Sequence, residues 1–225
     1  FYDQMNLPDK ALAIYQETAD AHPGNPRATL ALAQAWRDRQ MWDDAERAYR
    51  RTIALTPGNS EAYVDLGALL IDLARYEEAQ PMLAAALETN QDNINAYIQM
   101  GVLAQRQGNS DLALDWFQRG VRVQPGDQPT SGVLLDLMQR YGHYEASLTY
   151  LRQDLAAHPQ DVELLLRQAR AQRILGKTGD AMATLLQASR LNIADSRLSA
   201  ELGELYIAQG RPRAALAAYR QTVAL

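Results

Sequence analysis

The chain has 225 residues, 47% hydrophobic and 22% charged, with 13 Gly and 9 Pro, a balance that fits an ordered protein rather than a disordered tail. Its formal net charge of −5 argues against general nucleic-acid binding, which needs basic surfaces to displace counterions from phosphate. Cysteine is absent, excluding disulfides, thiolate catalysis and cysteine zinc sites. No apolar run reaches the roughly eighteen residues that span a bilayer.

A ruler of 34 residues runs through the sequence. Asn25, Asn59, Asn93, Asp127, Asp161 and Asp195 each precede an apolar helical run. Asn and Asp accept bonds from the otherwise orphaned N–H groups that open a helix, so the ruler predicts first-helix starts at 26, 60, 94, 128, 162 and 196. It divides the chain, without insertion, into a partial copy (1–25), five whole copies (26–59, 60–93, 94–127, 128–161, 162–195) and an incomplete last copy (196–225).

Counting from the residue after each cap, apolar residues fall at positions 4, 7 and 11 of a first helix, as in Tyr63, Leu66 and Leu70. Position 24 of a second helix is also apolar, as in Leu83. Spacings of three and four make one buried stripe. Position 8 is small in most copies (Ala33, Gly67, Gly101, Ala169, Gly203) and position 20 in all (Ala11, Ala45, Ala79, Ala113, Ser147, Ala181, Ala215), which lets paired helices approach closely. Gly108, Gly142, Gly176 and Gly210 at position 15 suit a left-handed residue ending the first helix. Pro23, Pro57, Pro125 and Pro159 at position 32 stop the second helix. Pro81 is expected in the opening turn of a second helix, where a missing N–H costs little.

These residues resemble the tetratricopeptide repeat family, a 34-residue helix-turn-helix with small residues at 8 and 20, an aromatic or Leu at 24 and Pro at 32, and the resemblance covers the whole chain. It implies an all-α fold, an α-solenoid wound as a right-handed superhelix. First helices would line a concave groove and second helices form the back. It also implies a binding scaffold rather than a catalyst. The Ala-, Arg- and Gln-rich copies look like bacterial scaffolds, in particular the repeat regions of envelope and exopolysaccharide-secretion proteins. Co-chaperone clamps of this family carry Lys or Arg at position 5 with Asn at 9, and here Leu30 with Gln34, Val64 with Ala68 and Ile98 with Val102 replace them.

Some positions depart from the pattern. Copy four places Leu135 at the small position 8 and Asp154 at position 27, while copy five has Gln168 and Gln172 at the usually apolar positions 7 and 11. Packing is expected to be weakest there, with the glutamines bonded to backbone or water. Residue 1 corresponds to position 10 and Leu225 to position 30, so the parent protein is expected to continue on both sides, and open ends would offer apolar faces for self-association.

Nothing in the sequence builds a catalytic or cofactor site. There is no Gly-rich phosphate loop, no His-Glu-x-x-His and no Gly-x-Ser-x-Gly, and His22, His143 and His158 all fall in turns without convergent partners. No catalytic residue, metal ligand or cofactor is therefore expected. A protein or peptide partner is expected, with no nucleic acid and no membrane span. The resemblance places positions 2, 5, 6, 9, 12 and 13 on the concave face. There Leu30, Val64 and Ile98 are expected to anchor apolar side chains of a partner segment. Arg140, Arg167, Arg170 and Arg173, set against few nearby acids, are expected to grip its carboxylates. Two roles share this surface: an interaction scaffold in a larger assembly, or the recruiting region of a larger enzyme or secretion protein. Compartment stays open between bacterial cytoplasm and periplasm.

Overall fold

A computed structural model describes residues 8–123, 128–191 and 195–224. Among them it shows thirteen α-helices and no strand. The first helices are α2 (Pro26–Asp38), α4 (Ser60–Asp72), α6 (Ile94–Arg106), α8 (Gln128–Arg140), α10 (Val162–Ile174) and α12 (Ser196–Ala208). Each begins at the residue that the ruler marks. The second helices are α1 (Pro8–Ala21), α3 (Trp42–Leu55), α5 (Tyr76–Thr89), α7 (Ser110–Val123), α9 (Tyr144–Ala157), α11 (Thr178–Ser189) and α13 (Pro212–Ala224). The fold is an α-solenoid of tandem helical hairpins, packed as two compact units, Phe1–Pro125 and Gly126–Leu225.

Local hydrogen bonds explain why the hairpin recurs. The cap side chains of Asn25, Asn59, Asn93, Asp161 and Asp195 each accept from a backbone N–H two or three residues on, satisfying donors that the helix leaves free. The Asp127 cap lies outside the described residues. At the other end of each first helix, the position-16 N–H reaches back to the position-11 carbonyl: Met41 to Trp36, Arg75 to Leu70, Asn109 to Ala104, His143 to Met138, Lys177 to Gln172 and Arg211 to Tyr206, all at 2.7–2.9 Å. That closure needs a left-handed residue at position 15. Gly108, Gly142, Gly176 and Gly210 supply it, and so do Gln40 (φ 60°) and Ala74 (φ 58°), which carry the strain of a side chain there. Pro23, Pro57 and Pro159 sit second in turns closed by the next cap's N–H, as in Asn59 donating to the Thr56 carbonyl at 3.0 Å.

Outside copy four, where position 8 is Leu135, a large side chain at position 24 lies over a small residue at position 8 of the same hairpin. A Cβ on Gly67 would come within 2.6 Å of Leu83 Cδ2, one on Gly203 within 2.5 Å of Tyr219 Cε1, and one on Gly101 closer still to the Phe117 ring. Tyr49, Leu83, Phe117, Leu151 and Leu185 are correspondingly buried. In the first unit these contacts merge into one core running from Leu30 and Ala33 through Leu66 and Leu70 to Met100 and Leu103. In the second unit a core runs from Leu165 and Ala169 through Leu185 to Leu205.

The irregular copies resolve differently from expectation. Pro81 is the sixth residue of α5, past the opening turn, yet the helix continues to Thr89. Proline gives the Glu77 carbonyl no N–H, and both residues are exposed, so the lost bond falls on the wet side of the helix. Leu135 is fully buried, as are Leu134, Met138 and Leu151. Gln172 is buried, and its Oε1 accepts from a side chain, Thr184 Oγ1, at 2.9 Å. Asp154 is half-buried, and burial pushes its carboxyl above the ordinary range.

Candidate functional site

On the first-helix face of the first unit, the expected apolar anchors separate. Leu30 and Val64 are only 8% and 5% exposed and belong to core clusters, so both are packing residues and not accessible anchors. Position 5 turns toward the neighbouring first helix, where the α2, α4 and α6 backbones run close enough to cover it. Ile98 remains half-exposed. Alongside them, Gln34 Nε2 donates to Asp65 Oδ2 at 2.8 Å and Arg37 approaches the same carboxylate at 3.5 Å. Burial pushes the Asp65 carboxyl up, against the pull of Gln34 and Arg37.

In the second unit three of the four arginines prove to have acids of their own, contrary to the expectation of few. Arg167 bridges Glu163 at 3.0 Å and Asp136 at 3.1 Å and donates to the Gly132 carbonyl at 2.7 Å. Burial would raise the Glu163 carboxyl, but bonds from Arg167 and Arg197 outweigh it and hold it below the ordinary range. Arg170 and Arg173 converge on Glu201, at 2.6 and 3.5 Å, and Glu201 has a side chain only 8% exposed. Arg173 also reaches Glu204 at 3.9 Å. Arg140 alone of the four is exposed with no ion-pair partner among the described residues. It borders a polar cavity of about 390 Å³ shared with Asp136, Gln139, Tyr144 and Arg170.

One rule links both faces. Side chains at positions 9 and 12 of a first helix bond position 6 of the next: Gln34 and Arg37 to Asp65, Asp136 to Arg167, Arg170 and Arg173 to Glu201. Sequence reasoning treated Arg167, Arg170 and Arg173 as partner contacts because single-helix patterns do not show which charges face across a helix pair. The signal was present as spacing, each bonded pair lying 28 or 31 residues apart. Among the described residues no group of three or more His, Asp or Glu is placed to hold a metal, and no helix is long and apolar enough to cross a membrane.

Models of the tetratricopeptide repeat match residues 4–69 and 37–97, 139–196, and 95–119 and 196–221. The chain is a tetratricopeptide repeat protein. No curated protein sequence matches it. Among solved structures, tetratricopeptide repeat proteins share its fold at low identity. The C-terminal part of such a protein from Cytophaga hutchinsonii superposes with a TM-score of 0.68 at 17% identity, covering 100% of this chain and 93% of that one. Another from Parabacteroides merdae gives 0.62 at 17% identity, covering 99% and 88%. The Cut9–Hcn1 hetero-tetramer of APC/C matches at 0.58 and 16% identity, covering 96% of this chain and 43% of that one. The faces described above carry charge pairs between repeats and, in the second unit, an exposed Arg140 with no ion-pair partner among the described residues.

Proposed function

We propose that residues 1–225 form one non-catalytic interaction domain that holds an acidic segment of a partner protein within a larger assembly. The observation that carries this reading is Arg140, an exposed guanidinium with no carboxylate partner among the described residues, beside a polar cavity on the first-helix face. A guanidinium offers a planar fork that fits a carboxylate, and leaving it unpaired while its neighbours are all paired favours an external acid. Arg170, with a side chain 53% exposed, is the second donor, while Arg167 and Arg173 hold the face in register through Asp136, Glu163 and Glu201. Ile98 is the apolar contact available on the first unit's own first-helix face. The likeness to Cut9, seen in a hetero-tetramer with Hcn1, supports a role in protein assembly.

The test is fluorescence anisotropy with a fluorescein-labelled peptide carrying four Glu and one Leu, titrated at several salt concentrations. Binding by the wild type, weakened several-fold and with a shallower salt slope in Arg140→Glu, is the expected result. Equal affinity and equal slope for wild type and Arg140→Glu would overturn the reading.

A further inference from the structure

A second cavity lies wholly in the first unit, away from the first-helix face, between the second helices α5 and α7 with the start of α6 as its floor. Its volume is about 650 Å³, within the range of sites that seat a bulky group. The apolar wall is Leu87, Tyr97, Met100 and Trp116. Trp116 and Tyr97 meet at a tilted 48° with centroids 6.1 Å apart, and the Tyr97 hydroxyl donates to the Gln91 carbonyl at 3.0 Å, so the aromatic pair is held in place before anything binds. Arg119 stacks over the Trp116 ring at 4.6 Å while its Nε pairs with Asp115 at 3.2 Å. One turn further along α7, Arg122 is exposed at the rim and has no carboxylate partner among the described residues. The acid on the opposite wall is Glu88, on α5.

We infer that this cavity is a second docking site, taking a protein segment in which a Phe or Trp side chain is followed closely by an acidic residue. The aromatic enters against Trp116, Tyr97 and Met100, and the carboxylate pairs with Arg122. Trp, Tyr and Arg are the residue types that carry most binding energy in protein interfaces. Charge complementarity fixes the choice of occupant: of the two rim arginines only Arg122 is unpaired, and Glu88 disfavours a second acid on the α5 side, so the segment enters with its acidic residue toward α7.

The experiment uses the full chain and three labelled peptides, Gly-Ser-Phe-Asp-Gly-Ser, its Phe-Lys counterpart and its Ala-Asp counterpart, read by anisotropy. Binding of the Phe-Asp peptide at least tenfold tighter than either control is expected. Arg122→Glu, an exposed change that leaves the core intact, should weaken the Phe-Asp peptide about tenfold and strengthen the Phe-Lys peptide. Arg140→Glu should leave both unchanged, which separates this site from the first-helix face. Equal binding of the Phe-Asp and Phe-Lys peptides would overturn the acidic assignment in favour of a purely apolar ligand. Indifference of all three peptides to Arg122→Glu, or a change of oligomeric state in that variant by sedimentation, would overturn the site in favour of an unrelated surface or a second copy of the chain.

Discussion

Arg170 Nε donates to Glu201 Oε1 at 2.7 Å, joining position 9 of α10 to position 6 of α12 across 31 residues of sequence. Glu201 is nearly buried and Arg173 approaches its second oxygen at 3.5 Å, so two guanidinium groups share one carboxylate. Removing the Glu201 charge leaves Arg173, with a side chain 21% exposed, only Glu204 at 3.9 Å as an acid. Glu201→Gln should therefore destabilise the chain by about 1–3 kcal/mol in urea unfolding. It should also free Arg170 and Arg173, so the acidic peptide should bind the variant more tightly with a steeper salt dependence. Unchanged stability would show that the cluster is no more than a solvated pair.

Gly101 tests the packing rule. A methyl group there would gain about 1 kcal/mol of helix propensity, but it would collide with the fully buried Phe117 ring. Overpacking of this kind costs about 1–3 kcal/mol, so Gly101→Ala should be destabilising overall. The paired change Gly101→Ala with Phe117→Leu should recover part of the loss. Gly24→Ala is the control, since a Cβ there meets nothing within 4 Å.

Asp154 gives a pH signature. Its carboxyl titrates above the ordinary value of 3.8 because burial disfavours the charge. A carboxylate with a raised folded pKa costs stability once ionised, and the cost disappears as pH falls through the folded and then the unfolded value. Asp154→Ala should accordingly be more stable than wild type at neutral pH. The gap should narrow below about pH 4 to the helix-propensity difference of about 0.5 kcal/mol. A gap independent of pH would mean that the carboxyl is well solvated.

Glu46 has the opposite sign. Arg75 bonds both of its oxygens, at 2.6 and 3.2 Å, and holds its carboxyl below the ordinary value of 4.5. This stabilisation is present above the unfolded value and is lost as pH falls through the folded one. Wild type should thus lose stability faster than Glu46→Gln as pH drops from about 5 to about 3. Chemical denaturation at stepped pH is the measurement.

Hydrogen exchange addresses the irregular copies. Their polar substitutions are not equivalent: Gln172 is bonded to Thr184, whereas burial strains Asp154. Protection should therefore be high around Gln172 in α10 and lower in α9 near Asp154. Equal protection in both helices would remove the distinction.

The sequence by itself determined the repeat, its phase and the helix type. Those depend on groups within a few residues of each other: Asn and Asp caps, the left-handed glycines at position 15, and the small residues at 8 and 20. It missed the left-handed Gln40 and Ala74, because there the closure bonds from Met41 and Arg75 impose a conformation that neither residue favours alone. It also set Pro81 one turn too early. The binding faces were beyond it for a different reason. Whether Leu30 and Val64 are anchors or core, and whether an arginine is free or already paired, depends on the helix that packs alongside, in residues 28 to 35 positions away. Cross-repeat neighbours cover position 5, commit Arg167 to Asp136 and Arg170 and Arg173 to Glu201, and leave Arg140 exposed, so tertiary packing decided which of these charges remain unpaired.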